Sequence, residues 1–481
     1  MPDMDVDEFR AAAHRTVDWM AAYLESLPAH PVLPAVSPGD LRRALPPSPP
    51  QNPEELEAVL ADVDRLIVPA TTHWQAPGFM AYFASSGSAP GILGEMLSAT
   101  FNVNAMLWRT SPAATELEQV TLDWLRQLLG LPGELFGVIN DTASSSTLCA
   151  LAAARQAQAD LRIREDGMSA RGLPRLRLYA SSEAHSSVEK AGIVLGFGQQ
   201  GCRRIEVDDA FRMDVRALRA AIELDIAAGE RPVAVVATVG TTSSTSVDPV
   251  AAVAAVCAEH HVWLHVDAAY AGSAAVAPEL RWVLDGAELA DSIVVNPHKW
   301  LFTPIDCSAL WTRHPQVLRE AFSIVPEYLT SAHDSDRDAP NLMDYGVSLG
   351  RRFRALKLWM VMRRFGADGL AAIIREHCAF AATLAARVRE SEDFEMMAPA
   401  PLSVVCLRAH PRGLDDEAAL DAVNARLLER VNRGGRFFLS HTRLRGRYVV
   451  RVAFGNLRTT SAHAGEVWDE LNTALAAERP A

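Results

Sequence analysis

Val262-Trp263-Leu264-His265-Val266-Asp267-Ala268-Ala269 and Ser292-Ile293-Val294-Val295-Asn296-Pro297-His298-Lys299-Trp300 are the two stretches on which the fold turns. Each opens with a short apolar run and ends near a charged group, a carboxylate at Asp267 and an amine at Lys299. Short continuous apolar runs read as strands buried on both faces, as in a parallel sheet. Both charged groups then emerge at the carboxyl ends of neighbouring parallel strands, where open α/β sheets hold their ligands. The 32 positions between them (299 − 267) accommodate the rest of one loop, a helix and the next strand.

The same alternation extends outward from about residue 139 to 311, with strands expected over 176–180, 232–239, 262–266 and 292–295 and helices over 146–159 and 249–259. Repeated βα units predict an α/β fold with a mostly parallel sheet and right-handed crossovers. Ahead of it, residues 1–86 read as a helical, then extended, N-terminal arm containing Leu45-Pro46-Pro47-Ser48-Pro49-Pro50, whose fixed φ and missing N–H groups exclude regular helix. Residues 87–358 make the large domain. Between 320 and 345 the chain turns polar around His333-Asp334-Ser335-Asp336-Arg337-Asp338, a connection long enough to serve as a lid. A helical stretch from 356 follows, and residues 359–481 mix helices with strands at 402–407 and 448–453, as in a small α+β domain.

Composition bounds the function. The 481 residues carry a net charge of −13 with no basic run, which disfavours a nucleic-acid partner. The start, Met1-Pro2-Asp3-Met4-Asp5, is acidic where a secretory signal is basic, and no apolar stretch of membrane-spanning length is read. A cytoplasmic location is expected. Six cysteines without short paired spacings suggest buried thiols rather than disulfides or zinc ligands. His260, His261 and His298 lack the partners a metal site needs, so no metal is expected.

An exposed lysine after a strand is usually a solvated surface group, but Pro297 and Trp300 make an improbable surface. An imine-forming pyridine cofactor, pyridoxal phosphate, needs a lysine to condense with its aldehyde and an acid to keep its ring nitrogen protonated. Lys299 and Asp267 suit those roles. Thr142-Ala143-Ser144-Ser145-Ser146-Thr147, opening a helix after Val138-Ile139, offers the N–H groups and hydroxyls that hold a phosphate, although such runs are also ordinary helix caps. His185 follows the 176–180 strand and could stack on the ring, and Thr242 follows the next strand with a hydroxyl for the ring oxygen.

With these residues in view, the chain resembles the group II pyridoxal-phosphate decarboxylases of the aromatic-L-amino-acid decarboxylase type, nearly end to end. The motifs that carry the resemblance are Thr72-His73-Trp74, Ala81-Tyr82-Phe83, Ser111-Pro112-Ala113-Ala114-Thr115-Glu116-Leu117-Glu118, Ala184-His185-Ser186-Ser187-Val188-Glu189, Asp267-Ala268-Ala269-Tyr270-Ala271-Gly272, Asn296-Pro297-His298-Lys299-Trp300 and Leu349-Gly350-Arg351-Arg352-Phe353. The resemblance implies a type I aminotransferase fold of the PLP-dependent transferase kind, with a seven-stranded sheet, and a homodimer with shared active sites. It implies that Lys299 holds the cofactor and Asp267 its ring nitrogen, with Ala269 on the ring face opposite His185. Ala143, Ser144, Asn296 and His298 would surround the phosphate, with Thr242 beside the ring. Trp74, Tyr82, Phe83 and Ser85, offered across the interface, would line the substrate pocket with Gly350. Tyr328, in Pro326-Glu327-Tyr328-Leu329, matches the family's proton-donating tyrosine.

The implied reaction is decarboxylation of an aromatic L-amino acid to amine and CO2. Gly350 favours a large aromatic side chain, whereas Asn104, Met106 and Ile305 depart from the animal DOPA decarboxylase pattern and leave the ring open among tryptophan, DOPA, tyrosine, phenylalanine and 5-hydroxytryptophan. The alternatives are an aromatic aldehyde synthase, in which phenylalanine replaces the loop tyrosine, and a related decarboxylase for a non-aromatic amino acid. A transaminase would need an arginine in the small domain to grip the α-carboxylate, and Arg451 could pose as one.

Overall fold

The computed structural model describes residues 4–324 and 340–478. Its centre is a sheet of seven strands: β1 (Phe136–Asn140), β2 (Leu176–Ser181), β3 (Cys202–Ile205), β4 (Arg231–Thr238), β5 (Trp263–Asp267), β6 (Ser292–Val295) and β7 (Ser308–Thr312). They lie in the order β1-β7-β6-β5-β4-β2-β3. Strands β6, β5, β4, β2 and β3 pair in parallel, and β7 runs antiparallel to both β1 and β6. The α/β reading with a mostly parallel sheet therefore holds.

Burial on both faces explains the continuous apolar runs. Along β4, Val235 and Ala237 enter one core cluster while Ala234 and Val236 enter another on the opposite face. The first cluster is completed by the helices Pro112–Leu129 and Val250–His260, the second by Ala143–Gln156 and Ser186–Val194. At about 25 cal/mol per Å² of apolar surface removed from water, these two layers are the main source of stability. The edge strand β3 reads Cys-Arg-Arg-Ile and is only half buried, so it lacks the apolar signature that marks β4 and β5.

A second sheet joins β8 (Phe394–Met396), β9 (Val404–Ala409), β10 (Ser440–Leu444) and β11 (Arg447–Ala453) in the order β10-β11-β9-β8, all antiparallel. The helices Glu417–Arg433 and Ser461–Ala476 cover it. The extended part of the N-terminal arm is built into this layer: Met80 donates its N–H to the Phe438 carbonyl (3.0 Å) and accepts from Ala453 (2.9 Å), and its side chain joins the small core.

The helix Arg354–Glu390 connects the two layers and is interrupted at Gly366, whose φ of 64° and ψ of 175° lie outside the helical region. By length and composition this helix could cross a membrane, contrary to the expectation that no stretch would qualify. Its apolar side chains are instead shared between two cores, Leu358, Val361 and Ile374 on one side and Phe380, Leu384 and Val388 on the other. Of the expected lid, residues 325–339, including Tyr328, fall outside the described residues.

Candidate active site

The carboxyl ends of β2, β4, β5 and β6 converge on a cavity of about 160 Å³. β5 ends on Asp267, whose buried carboxylate accepts the Ala269 N–H at 3.1 Å. β6 runs through Asn296 into the short helix Pro297–Trp300, and Lys299 lines the cavity from it. Pro297 at the first helical position needs no N–H partner. Trp300, fully buried, anchors the turn by stacking on Tyr270 (4.7 Å between centroids) and donating its indole N–H to His377 Nδ1 at 3.0 Å.

Burial lowers the pKa of Lys299; the Asp267 carboxylate works against that shift and the Arg451 charge adds to it. The amine is thereby brought nearer to the neutral, nucleophilic form. His185 caps the helix Ser186–Val194, its Nδ1 accepting the Ser187 N–H (3.2 Å) and lying 2.8 Å from the Ser187 hydroxyl. That leaves Nε2–H as a donor toward the cavity. Burial first, then the Lys299 charge, lower the His185 pKa, with Asp267 opposing, so the neutral ring is favoured.

On the phosphate side of the expected arrangement, Thr142, Ala143 and Ser144 line the cavity at the start of the helix Ala143–Gln156. The Thr142 side chain makes no capping bond, so the first-turn N–H groups keep their capacity for an anion. Ser146 fixes this helix end through Asn140 Nδ2 (3.1 Å) and Ser308 Oγ (2.9 Å). His298 is locked by accepting the Cys307 N–H at 2.9 Å, and burial pushes its pKa down to about 4. Two buried oxygens on cavity-lining residues, Asn296 Oδ1 and Thr238 Oγ1, have no partner among the described residues. Unsatisfied buried polar atoms of this kind are what a polar ligand completes. An enclosed lysine, a facing carboxylate, an open helix start and orphaned oxygens fit pyridoxal phosphate.

The structure thus brings Ala143, Ser144, His185, Thr242, Asp267, Ala269, Asn296, His298 and Lys299 to one cavity. Phe83 is there too, which corrects the expectation that it would come from a second subunit: it belongs to its own chain's cavity. Its ring stacks on Tyr270 at 3.6 Å and 15°, with Lys299 Nζ 5.3 Å from its centroid. The other expected pocket residues lie elsewhere on the chain. Trp74 and Tyr82 stack on each other at the surface (6.0 Å), and Ser85 is half buried outside the cavity lining. Gly350 borders a separate cavity of about 250 Å³ beside Asn140, Asp141 and Ser145.

Sequence reasoning missed Thr238, Gly240 and Tyr270 as lining residues. Gly240 carried a legible signal, a glycine directly after a strand. Its φ is +88°, and a Cβ there would lie 2.5 Å from that of Ala271. The turn is held from beneath by buried Asp248, which accepts the Thr238 and Met213 N–H groups (2.8 and 2.7 Å). Among the described residues one group, Glu223, Glu259 and His260, could share an ion; both glutamates are exposed and Glu259 is paired with Arg219.

Residues 38–410 match the pyridoxal-dependent decarboxylase conserved domain. The chain is 42% identical to tyrosine decarboxylase 4 of Petroselinum crispum, over 98% of this chain and 94% of that protein. It is 39% identical to phenylacetaldehyde synthase of a Rosa hybrid cultivar, over 97% of this chain and 93% of that one. Among solved structures, the crystal structure of Oryza sativa TDC with PLP and tryptamine superposes with a TM-score of 0.96 at 38% identity, covering 100% of both chains.

Proposed function

The chain belongs to the pyridoxal-dependent decarboxylase family, a carboxy-lyase family that works on amino acids with pyridoxal phosphate, and from that premise we propose the roles of its residues. Its reaction is the loss of CO2 from an aromatic L-amino acid to leave the amine. The observation that carries this reading is the enclosed pair of Lys299 and Asp267 beside an aromatic wall, Phe83 on Tyr270.

When bound, the cofactor supplies a protonated ring that accepts the electron pair left by departing CO2. Lys299 would hold the cofactor through its amine, whose neutral form burial favours. Asp267 would keep the proton on the ring nitrogen. Ala143, Ser144, Asn296 and His298 would hold the phosphate, Thr242 would meet the ring oxygen, and Ala269 and His185 would take the two ring faces. His185, neutral and donating from Nε2, also orients the substrate carboxylate without the strong ion pair that would oppose its loss. Tyr328 returns a proton to the α-carbon.

A second copy of the chain completes the pocket. Leu93, Leu97 and Phe101 of the helix Ala89–Phe101 are 44–59% exposed, and Ile305, Val347 and Leu349 are exposed as well; exposed apolar groups of this kind suit a protein–protein contact. Gly350 and Asn104 are exposed beside this surface's chain segments, and in a homodimer they with Trp74 and Tyr82 reach the facing site. A cytoplasmic setting is part of the same proposal, supported by six free thiols; cell fractionation tests it, and recovery in a secreted fraction counts against it.

Resemblance to phenylacetaldehyde synthases supports a second reading, oxidative conversion to the aldehyde. Tyr328 favours the amine. The direct test is to incubate purified protein and pyridoxal phosphate with tryptophan, DOPA, tyrosine, phenylalanine and 5-hydroxytryptophan. Amine from at least one is expected; no product from any, with turnover of a non-aromatic amino acid, would overturn the aromatic assignment.

A further inference from the structure

Arg451, on β11 of the small sheet, is 3% exposed. The groups that act on its charge besides burial are Cys406 and Tyr270, with no acid among them. Burying a guanidinium without a counter-charge is strongly unfavourable, so the contacts it makes show what it holds. Nε donates to the Ser243 carbonyl at 3.0 Å, Nη1 donates to the Tyr82 carbonyl, and the guanidinium carbon lies 4.7 Å from the Phe83 ring centroid. Nη2 has no partner among the described residues.

Both carbonyls belong to segments that line the cavity. Ser243 follows Gly240 and Thr242 in the turn after β4, and Tyr82 precedes Phe83. Tyr82 has a φ of +50°, a conformation that is strained for a bulky residue, so its turn needs an outside restraint. The same guanidinium therefore bonds the strained turn and lies against the ring that follows it. A lysine could supply the charge but not the planar fork and stacking face together.

We propose that Arg451 is a positioning residue that fixes the Phe83 ring as the aromatic wall beside Lys299, by holding the Tyr82 and Ser243 carbonyls, so that the small sheet sets the shape of the substrate pocket. The inference rests on the reaction proposed above. It gives Arg451 a role distinct from gripping a substrate carboxylate, because the guanidinium lies outside the cavity lining and is engaged with backbone.

The test is a double-mutant cycle on the full chain with pyridoxal phosphate: wild type, Arg451→Met, Phe83→Ala and the double variant. Arg451→Met is expected to raise KM for the preferred aromatic amino acid by about 10-fold and to add less than about 3-fold to KM in the Phe83→Ala background, any kcat change reflecting the lost charge near Lys299. An equal effect on KM in both backgrounds, or a fall in kcat with KM unchanged, overturns the proposal. If Arg451→Met does not fold, Arg451→Lys replaces it, with the same non-additivity expected. If wild type makes no amine, the reaction assignment fails by itself. The positioning role is then read from the pyridoxal phosphate dissociation constant and the circular dichroism of its bound chromophore, where additive effects of the two substitutions overturn it.

Discussion

Lys299, Asp267 and His185 line one cavity, each placed there by the end of a buried strand. Their consequences are direct. Lys299→Ala is expected to abolish the visible absorbance of covalently held cofactor and to stop amine formation; retention of that absorbance contradicts the assignment. Asp267→Asn removes the counter-charge that raises the basicity of Lys299 and, on the role proposed for it, the partner of the ring nitrogen. It should cost about 10²–10⁴ in kcat, the range for a lost proton-holding group, with cofactor still bound. Protonation of His185 puts a proton on Nδ1, where it accepts the Ser187 N–H, and its pKa is lowered from the ordinary 6.5, so the acid limb of kcat/KM should fall below pH 6.5. Ser187→Ala, which removes the hydroxyl 2.8 Å from Nδ1 and leaves the backbone N–H bond, should lower kcat without removing cofactor. Phe83 was legible as a pocket residue, but not as part of its own chain's cavity. That placement depends on Tyr270 and Arg451, 187 and 368 positions later, which spacing does not reveal.

At the scale of elements, legibility tracks burial. β4 has the apolar run Pro232 to Ala237 and β5 is buried along its whole length, and both were readable, whereas half-buried β3 carries no such mark. The helix expected over 146–159 begins at Ala143, because Ser and Thr, weak in helix interiors, are accommodated in a first turn. Packing between elements is more exacting than sequence alone suggests. In the helix Ala89–Phe101, a Cβ on Gly94 would lie 2.6 Å from the Lys357 Cα, where backbone cannot yield locally. Gly94→Ala should therefore force the helices Ala89–Phe101 and Arg354–Glu390 apart and destabilise by about 1–3 kcal/mol, read as a lowered unfolding temperature. An unchanged unfolding temperature would mean that the contact relaxes freely.

For the whole molecule, three deeply buried histidines make acid the weak side. His265, His298 and His377 are each pushed down to about 4 by burial, and His298 and His377 accept N–H bonds at Nδ1 that protonation would break. Their ordinary value is 6.5, so between about pH 6.5 and 4 the unfolded chain binds more protons than the native one. Stability is full above 6.5 and is lost as pH falls through that window, by roughly 2 kcal/mol per histidine at pH 5. The urea midpoint should fall between pH 7.5 and 5, and His377→Gln should flatten that dependence; a flat wild-type profile contradicts it. Assembly was the least legible level, because an exposed Phe101 and a buried one read alike along the chain. Sedimentation should show two copies of the 52.2-kDa chain, and a stable monomer with full activity would refute the shared site. The central claim is that this scaffold releases CO2 and returns a proton to carbon instead of admitting oxygen. Its most direct test measures amine, CO2, aldehyde and peroxide together, in air, from the preferred aromatic substrate. Amine and CO2 in equal amounts with negligible peroxide is the predicted result; aldehyde matched by peroxide would contradict it.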